Sequence, residues 1–221
     1  MWGLVRSLAL MHSIKSQCFH NSFMRIGIIS GSHRPDSQSE KVAEWIREAL
    51  TQRSVETFSV NLSNNQLPMW ATIAADEERD EWKTLSPELI ECWGFVAITP
   101  EWGGMATPAI KNFFLHGSAK EFGHKPNLLV TVSGGRGGAY PISEMRASSY
   151  KNNRINHIPE HIIVRDAVEV LNDHEPEEQA DIYLQERLSY SLDLLCRYAL
   201  ALKGMRDHIE FDLEKYVNGM S

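Results

Sequence analysis

Arg25-Ile26-Gly27-Ile28-Ile29-Ser30-Gly31-Ser32-His33-Arg34-Pro35-Asp36-Ser37-Gln38-Ser39-Glu40-Lys41 is the stretch that decides the fold. A short apolar run, Ile26 to Ile29, stops at Ser30-Gly31-Ser32, and a helical pattern of Val42, Trp45, Ile46, Ala49 and Leu50 begins soon after. That order predicts a buried strand, a loop of hydroxyls with one guanidinium, and a helix. The first N–H groups of a helix lack intrahelical partners and carry partial positive charge, so an anion settles there. Ser32, Ser37 and Ser39 add hydroxyl donors, and Arg34 adds a planar fork suited to phosphate. The stretch is equally compatible with a plain strand-to-helix loop in which Asp36 or Ser37 caps the helix.

Two common phosphate loops are excluded by pattern. No Gly-x4-Gly-Lys-Ser/Thr run exists, and only Gly31 follows Gly27 where a dinucleotide fingerprint needs three close glycines. A phosphatase loop would carry a nucleophilic Cys at the strand end. Ser30 and Gly31 stand there instead, so the loop is of a kind that holds a phosphate without cleaving it.

Downstream, strands and helices alternate. Phe58, Val60 and Leu62 alternate with polar residues, as on a strand near a sheet edge. Trp70 follows a loop and is either core or a lid over a ligand, core being the commoner case. The acidic stretch Ala74 to Leu85 is expected to be helical with a solvated face, and Pro87 to start a further turn reaching Cys92. Gly94 to Thr99 and Leu128 to Val132 are fully apolar runs, expected as buried strands. Thr107 and Pro108 form an N-cap and first helical position. A helix from about Pro141 to Tyr150 and a last strand from His161 to Val164 follow. Leu184, Leu188, Leu192, Leu195, Ala199 and Leu202 then mark a long helix that Gly204 is placed to end.

Alternation of this kind predicts an α/β fold: a flavodoxin-like, doubly wound five-stranded parallel sheet with helices on both faces. Ligands of such sheets sit at the carboxyl ends of the strands. Three unusual loops, Ser30–Ser39, Pro100–Met105 and Ser133–Tyr140, follow strands one, three and four and should therefore converge. Gly103 and Gly104 let backbone approach a flat ring, and Trp102 can stack on it or shield it; the same residues also suit a tight turn before a helix with Trp102 in the core. The glycines around Arg136 can offer amides to a ring's polar edge, or form a flexible surface loop. No nucleophile or acid–base pair stands in these loops, which points to chemistry done by a cofactor.

The motif Gly31-Ser32-x-Arg34-x-x-Ser37-x-Ser39, then Pro100-Glu101-Trp102 with Lys111-Asn112, then Ser133-Gly134-Gly135-x-Gly137-Gly138, resembles the NADPH-dependent FMN reductase family over about residues 24–165. The resemblance implies that Ser32, Arg34, Ser37, Gln38 and Ser39 hold the FMN phosphate. It implies further that Pro100, Glu101, Trp102 and Gly103 border the isoalloxazine, and that Ser133, Gly134, Gly135, Arg136 and Gly137 contact its other edge. The family usually has Tyr-Asn where this chain has Trp102-Gly103. The implied activity is an FMN-dependent NAD(P)H oxidoreductase. It passes hydride from NADPH or NADH to bound FMN and on to a flavin, quinone or similar small acceptor. No side chain of the protein itself is catalytic in that scheme. Two alternatives compete with it: a non-enzymatic, flavodoxin-like electron carrier, and a phosphate-binding regulatory domain without flavin. The resemblance also implies a homodimer or homotetramer.

Totals bound the remaining classes. The chain has 221 residues and a net charge of −7, which suits one sizeable domain and argues against nucleic acid as a partner. No apolar run is long enough to cross a membrane. Three scattered cysteines, Cys18, Cys92 and Cys196, fit a reducing, cytoplasmic setting. The histidines show no metal-ligand spacing, so no metal is expected. Residues 1–23 hold Arg6 and Lys15 and no acid. They are expected to be a disordered leader or a mis-assigned start before Met24, with the FMN-binding domain over 24–204 and a tail over 205–221.

Overall fold

The computed structural model describes residues 24–65, 67–70, 80–172, 176, 178–208, 210, 212 and 215–216. The expectations for residues 1–23, most of the tail and the acidic stretch up to residue 79 lie outside the described residues.

Strands β1 (Arg25–Ser30), β2 (Glu56–Asn61), β3 (Gly94–Pro100), β4 (Pro126–Val132) and β5 (Asn156–Val164) form one sheet in the order β2-β1-β3-β4-β5, every pair parallel. The helices are α1 (Gln38–Thr51), α2 (Asp80–Glu91), α3 (Pro108–His116), the single turn α4 (Ala119–Phe122), α5 (Ala139–Ala147) and α6 (Gln179–His208). β3 and β4 are buried at every residue, whereas β2 and β5 are partly exposed at the edges.

Successive side chains of a strand point to opposite faces, and two cores result. Ile26, Ile28, Val96, Ile98, Leu128 and Val130 pack with α1 and α6. Ile29, Phe95, Ala97 and Leu129 pack with α2, α3, α4 and α5 on the other face. A sheet covered on both faces needs strands without alternation, which is why the two apolar runs of β3 and β4 read so clearly in the sequence.

Several elements differ from expectation. Pro87 lies inside α2 rather than starting a turn. Trp82, Leu85 and Leu89 are buried while Glu81 and Glu91 are exposed, so α2 is amphipathic. α5 begins at Ala139, two residues early, and β5 begins at Asn156, five residues before the expected start. Pro159 and the two histidines had masked β5, whose edge position tolerates proline. α6 runs through Gly204 to His208. Trp70 is half exposed, not core.

β5 also carries a pH-sensitive element. His157 lies 2.9 Å from Asn127 Nδ2 and 2.9 Å from Ser149 Oγ. The Asn127 amide donates to Nδ1, which suits a neutral ring. Burial pushes the His157 pKa down to about 4 from the ordinary 6.5, with Arg146 adding to the effect. The unfolded chain therefore takes up this proton first as pH falls. The stability tied to the neutral ring is present above about pH 6.5 and is lost on descending toward pH 4, by about 3 kcal/mol in total. Denaturant titrations at pH 7 and pH 4.5 should show this loss, and it should shrink in His157→Gln. An unchanged pH dependence in that variant would show that other groups carry it.

Candidate functional site

The loops after β1, β3 and β4 leave the three adjacent central strands at their carboxyl ends. β1 and β3 flank the switch in strand order, the place where such sheets bind ligands. The sequence-level convergence therefore holds, and the contacts between the loops are specific.

Loop one starts with Gly31, whose N–H donates to Ile98 O at 2.7 Å. A Cβ here would lie 2.6 Å from Ile98 O and 2.9 Å from Ile110 Cβ, so only glycine passes between β3 and α3. Thr107 Oγ1 donates to Gly31 O at 2.5 Å and accepts from Ile110 N at 3.3 Å. One hydroxyl thus caps α3 and pins loop one. Thr107 is fully buried, so Thr107→Val leaves a buried carbonyl and a helix start unpaired. We expect a loss of about 2–3 kcal/mol in denaturant unfolding; a loss within experimental error would show that neither bond matters.

Ser37 is the N-cap of α1, its Oγ accepting from Glu40 N at 3.2 Å. Its hydroxyl proton remains able to donate. Ser32 is buried and its Oγ accepts from Arg34 N at 3.1 Å, which curls the loop. Ser39 is buried, while Arg34 and His33 are exposed. Both reach Trp102 of loop two. The Arg34 guanidinium lies 4.4 Å from the Trp102 ring centroid, and the His33 ring meets Trp102 edge-on at 4.7 Å. Loops one and two are joined through this stack.

Loop two turns tightly. Trp102 and Met105 exchange backbone hydrogen bonds of 3.1 Å, with φ +58° at Gly103 and +76° at Gly104. Two successive positive φ values define a type I′ turn, which demands glycine or asparagine. Both glycines are exposed. The glycine standing where the family usually has asparagine therefore keeps the turn while removing a side chain.

Loop three is fixed by its neighbours. Glu101 Oε2 accepts from Gly138 N at 2.6 Å, and Gly138 O accepts from Thr131 Oγ1 at 2.6 Å. Gly138 is the N-cap of α5 and lacks a side-chain cap of its own; the Glu101 carboxylate supplies the negative charge to that helix start instead. A Cβ at Gly137 would sit 2.8 Å from Glu101 Oε1. Ser133 N donates to Val164 O at 2.8 Å, Asp166 N to Gly135 O at 2.9 Å, and Arg165 Nε to Arg136 O at 2.9 Å. The backbone is thus held, although a Cβ on Gly134 or Gly135 would meet nothing within 4 Å. Arg136 is exposed.

Glu144 carries no signal in the sequence, Asn112 enters there only through the motif, and Ser30 only as the residue standing where a phosphatase would carry a cysteine. Glu144 of α5 accepts from Ala106 N at 2.6 Å and pairs with Lys111 of α3. Their contact holds the Glu144 carboxyl below the usual range despite partial burial. Asn112, noted only as part of a motif, accepts from Trp70 N at 2.9 Å and donates to Pro68 O at 3.0 Å, which anchors the loop after β2. Ser30 Oγ is buried without a hydrogen-bond partner at the end of β1. A single glutamate inside a helix gives no sequence signal of such a role, and a serine at a strand end gives little.

The residues present fit a phosphorylated planar cofactor. Ser30 Oγ and Gln38 Oε1, beside the start of α1, are buried polar atoms without partners, a condition that buried polar groups rarely keep unless something binds them. Gly103 and Gly104 of loop two, and Gly134 and Gly135 of loop three, leave open the space that side chains would fill. A separate cleft of about 680 Å³ borders Ser63, Asn64, Asn65, Glu81, Thr84 and Leu85 beyond β2 and includes none of the loop residues. Among the described residues, no group of acids, histidines and cysteines could hold a metal, and no helix is long and apolar enough to cross a membrane.

The fold is that of a flavodoxin-like α/β protein, with the three loops gathered at the carboxyl ends of β1, β3 and β4. The chain belongs to the NADPH-dependent FMN reductase family, whose model matches residues 24–169; it is a flavoprotein oxidoreductase that depends on FMN and NAD(P)H. A relative named NADPH azoreductase, from Bacillus sp. (strain OY1-2), is 29% identical over 126 residues, 57% of this chain and 68% of the relative. FerB, a flavoenzyme NAD(P)H:(acceptor) oxidoreductase from Paracoccus denitrificans, superposes with a TM-score of 0.60 at 16% identity, covering 80% of this chain and 98% of FerB. RosB, solved with the bound intermediate 8-demethyl-8-formylriboflavin-5′-phosphate, gives a TM-score of 0.63 at 16% identity over 87% of this chain and 84% of RosB. At such identities the solved structures speak to the fold alone.

Proposed function

We propose that the three loops seat FMN with its phosphate on loop one and its ring between loops two and three, and that the enzyme reduces small, flat, conjugated acceptors such as flavins or quinones. The observation that carries this reading is the convergence of loop one on Trp102 and of Glu101 on the glycine loop, at one end of three adjacent strands.

Bound FMN would supply the redox chemistry, hydride acceptance from the nicotinamide and electron donation to the acceptor. The protein's part is binding and orientation. The first N–H groups of α1, the hydroxyls of Ser32, Ser37 and Ser39, and Arg34 neutralise the phosphate. Ser30 and Gln38 supply further polar atoms beside them. Pro100, Trp102 and Gly103 border the ring, with the indole shielding it from water. Glu101 does so through its backbone only, because its carboxylate holds Gly138 N. Backbone amides of Ser133, Gly134, Gly135 and Gly137 face the ring's polar edge, with Arg136 at the rim. The acceptor shares the face that the nicotinamide leaves, so neither needs a dedicated acid or base. The exposed glycine turn at Gly103-Gly104 supports an open face that admits bulky acceptors, and the azoreductase relative supports a conjugated one.

The test is anaerobic. Purified protein should be yellow, should bleach on adding NADPH or NADH, and should recover colour stoichiometrically with a quinone or free flavin. A yellow protein that neither nicotinamide bleaches would overturn the enzyme reading.

A further inference from the structure

The segment after β5, from Arg165 to Asn172, orients the backbone of loop three. Ser133 O accepts from Ala167 N at 3.1 Å, Gly135 O from Asp166 N at 2.9 Å, and Arg136 O and Gly137 O from Arg165 Nε at 2.9 and 3.1 Å. The C=O and N–H of a trans peptide point in opposite directions. The N–H groups of Gly134, Arg136, Gly137 and Gly138 are therefore turned away from this segment. Gly138 N shows where they point, because it meets the Glu101 carboxylate of loop two at 2.6 Å. The N–H groups of Gly134, Arg136 and Gly137 make no hydrogen bond among the described residues. They form a row of donors facing the side on which loop two stands.

The segment is itself held from α1. Lys41 Nζ donates to Ala167 O at 2.7 Å, to Val170 O at 2.8 Å and to Asn172 Oδ1 at 2.9 Å. Three acceptors match the three protons of an ammonium. Local helix chemistry does not ask for lysine here, since Lys41 is the fourth residue of α1 and the dipole disfavours a cation near a helix start. The segment does need a tie. Asp166 and Leu171 hold φ at +46° and +57°, a region that residues other than glycine mostly avoid.

We infer that Lys41 is a positioning residue for the flavin: acting through the segment Arg165 to Asn172, it fixes the direction of the loop-three amides and so sets how strongly the site favours the reduced cofactor. The inference rests on the proposed seat, with the ring between loops two and three. Reduction adds electrons to the ring, and fixed donors at its polar edge stabilise the charge that develops there. Once the segment loosens, the carbonyls lose their partners and the donors spread over many directions. That weakens the reduced form more than the oxidised one. The same tie joins the helix beneath the phosphate to the loop at the far edge of the ring, which keeps the two anchors at a constant spacing.

Redox titration of the FMN-loaded protein, with hydrogen exchange of the apoprotein beside it, tests this. Lys41→Met and Arg165→Ala release loop three at two different points. In both, the ratio of oxidised to reduced FMN dissociation constants should fall about tenfold, which places the midpoint about 30 mV more negative for a two-electron couple. Amide exchange over Ser133 to Gly137 should be faster in both apoproteins. Arg53→Met is the control. Arg53 lies just beyond the other end of α1 and pairs with Asp193 of α6 at 2.7 Å. That variant should lose stability and keep the wild-type midpoint. A folded Lys41→Met with an unchanged midpoint would overturn the inference, whatever its exchange shows. An equal midpoint shift in Arg53→Met would overturn it too, since stability alone would then set the potential. Arg165 is exposed, so Arg165→Ala keeps the test decisive if Lys41→Met fails to fold. A wild type that takes up no FMN would overturn the proposed seat and this inference with it, whereas normal uptake with unmoved midpoints overturns the inference alone.

Discussion

Gly138→Ala is expected to lower stability by about 3–4 kcal/mol and to weaken FMN binding at least about tenfold. Gly138 holds φ at +100°, where an L side chain is strained. Its new Cβ would also lie 2.4 Å from Ile163 Cγ2 and 3.2 Å from Thr131 Oγ1, both on strands of the sheet. Neither strand can yield, so the backbone of loop three must move. That movement would break the Thr131 and Glu101 hydrogen bonds, each 2.6 Å, that set the height of the glycine loop. The loss should appear twice, in denaturant unfolding and in FMN titration of the apoprotein. A variant as stable as the wild type would mean that the loop is softer than its contacts indicate. One that is destabilised yet binds FMN normally would remove loop three from the cofactor site.

Arg34→Ala should act the other way, with little effect on stability and a large one on the cofactor. In the structure the guanidinium lies over Trp102 and is exposed, a contact worth about 0.5–1 kcal/mol. A charge-assisted contact to phosphate is worth about 1.5–3 kcal/mol, so FMN affinity should fall about 10–100-fold. Arg34→Lys should recover only part of the loss, because an ammonium lacks the planar fork that matches two phosphate oxygens. Riboflavin, which lacks the phosphate, should bind wild type and Arg34→Ala about equally. If riboflavin affinity fell as much as FMN affinity, Arg34 would be acting on the ring through Trp102 and not on the phosphate.

How much of this was legible in the sequence depended on which residues carried the signal. β3 and β4 were plain because strands buried on both faces are apolar throughout. Ser37 as N-cap, and Thr107 with Pro108, were plain because capping chemistry is local. β5 was half hidden, since an edge strand admits Pro159 and polar residues without penalty. Gly204 misled because glycine after an apolar stripe usually stops a helix, whereas here α6 passes through it to His208. In the site, convergence followed from strand order alone. The ties between loops did not. Glu101 to Gly138, Glu144 to Ala106 and Thr107 to Gly31 join residues 37, 38 and 76 positions apart. Only the folded chain brings them together. The indole of Trp102 was read as a ring-stacking group, and the structure adds its contacts with Arg34 and His33, which couple loop one to loop two.

A crystal structure of the protein grown with FMN decides whether the three loops jointly form one cofactor seat. The phosphate is expected against Arg34, Ser37 and the start of α1, with the isoalloxazine between Trp102 and the backbone of Ser133 to Gly137. FMN bound elsewhere, for instance in the cleft beyond β2, would contradict it, as would loops that close on one another and exclude the flavin.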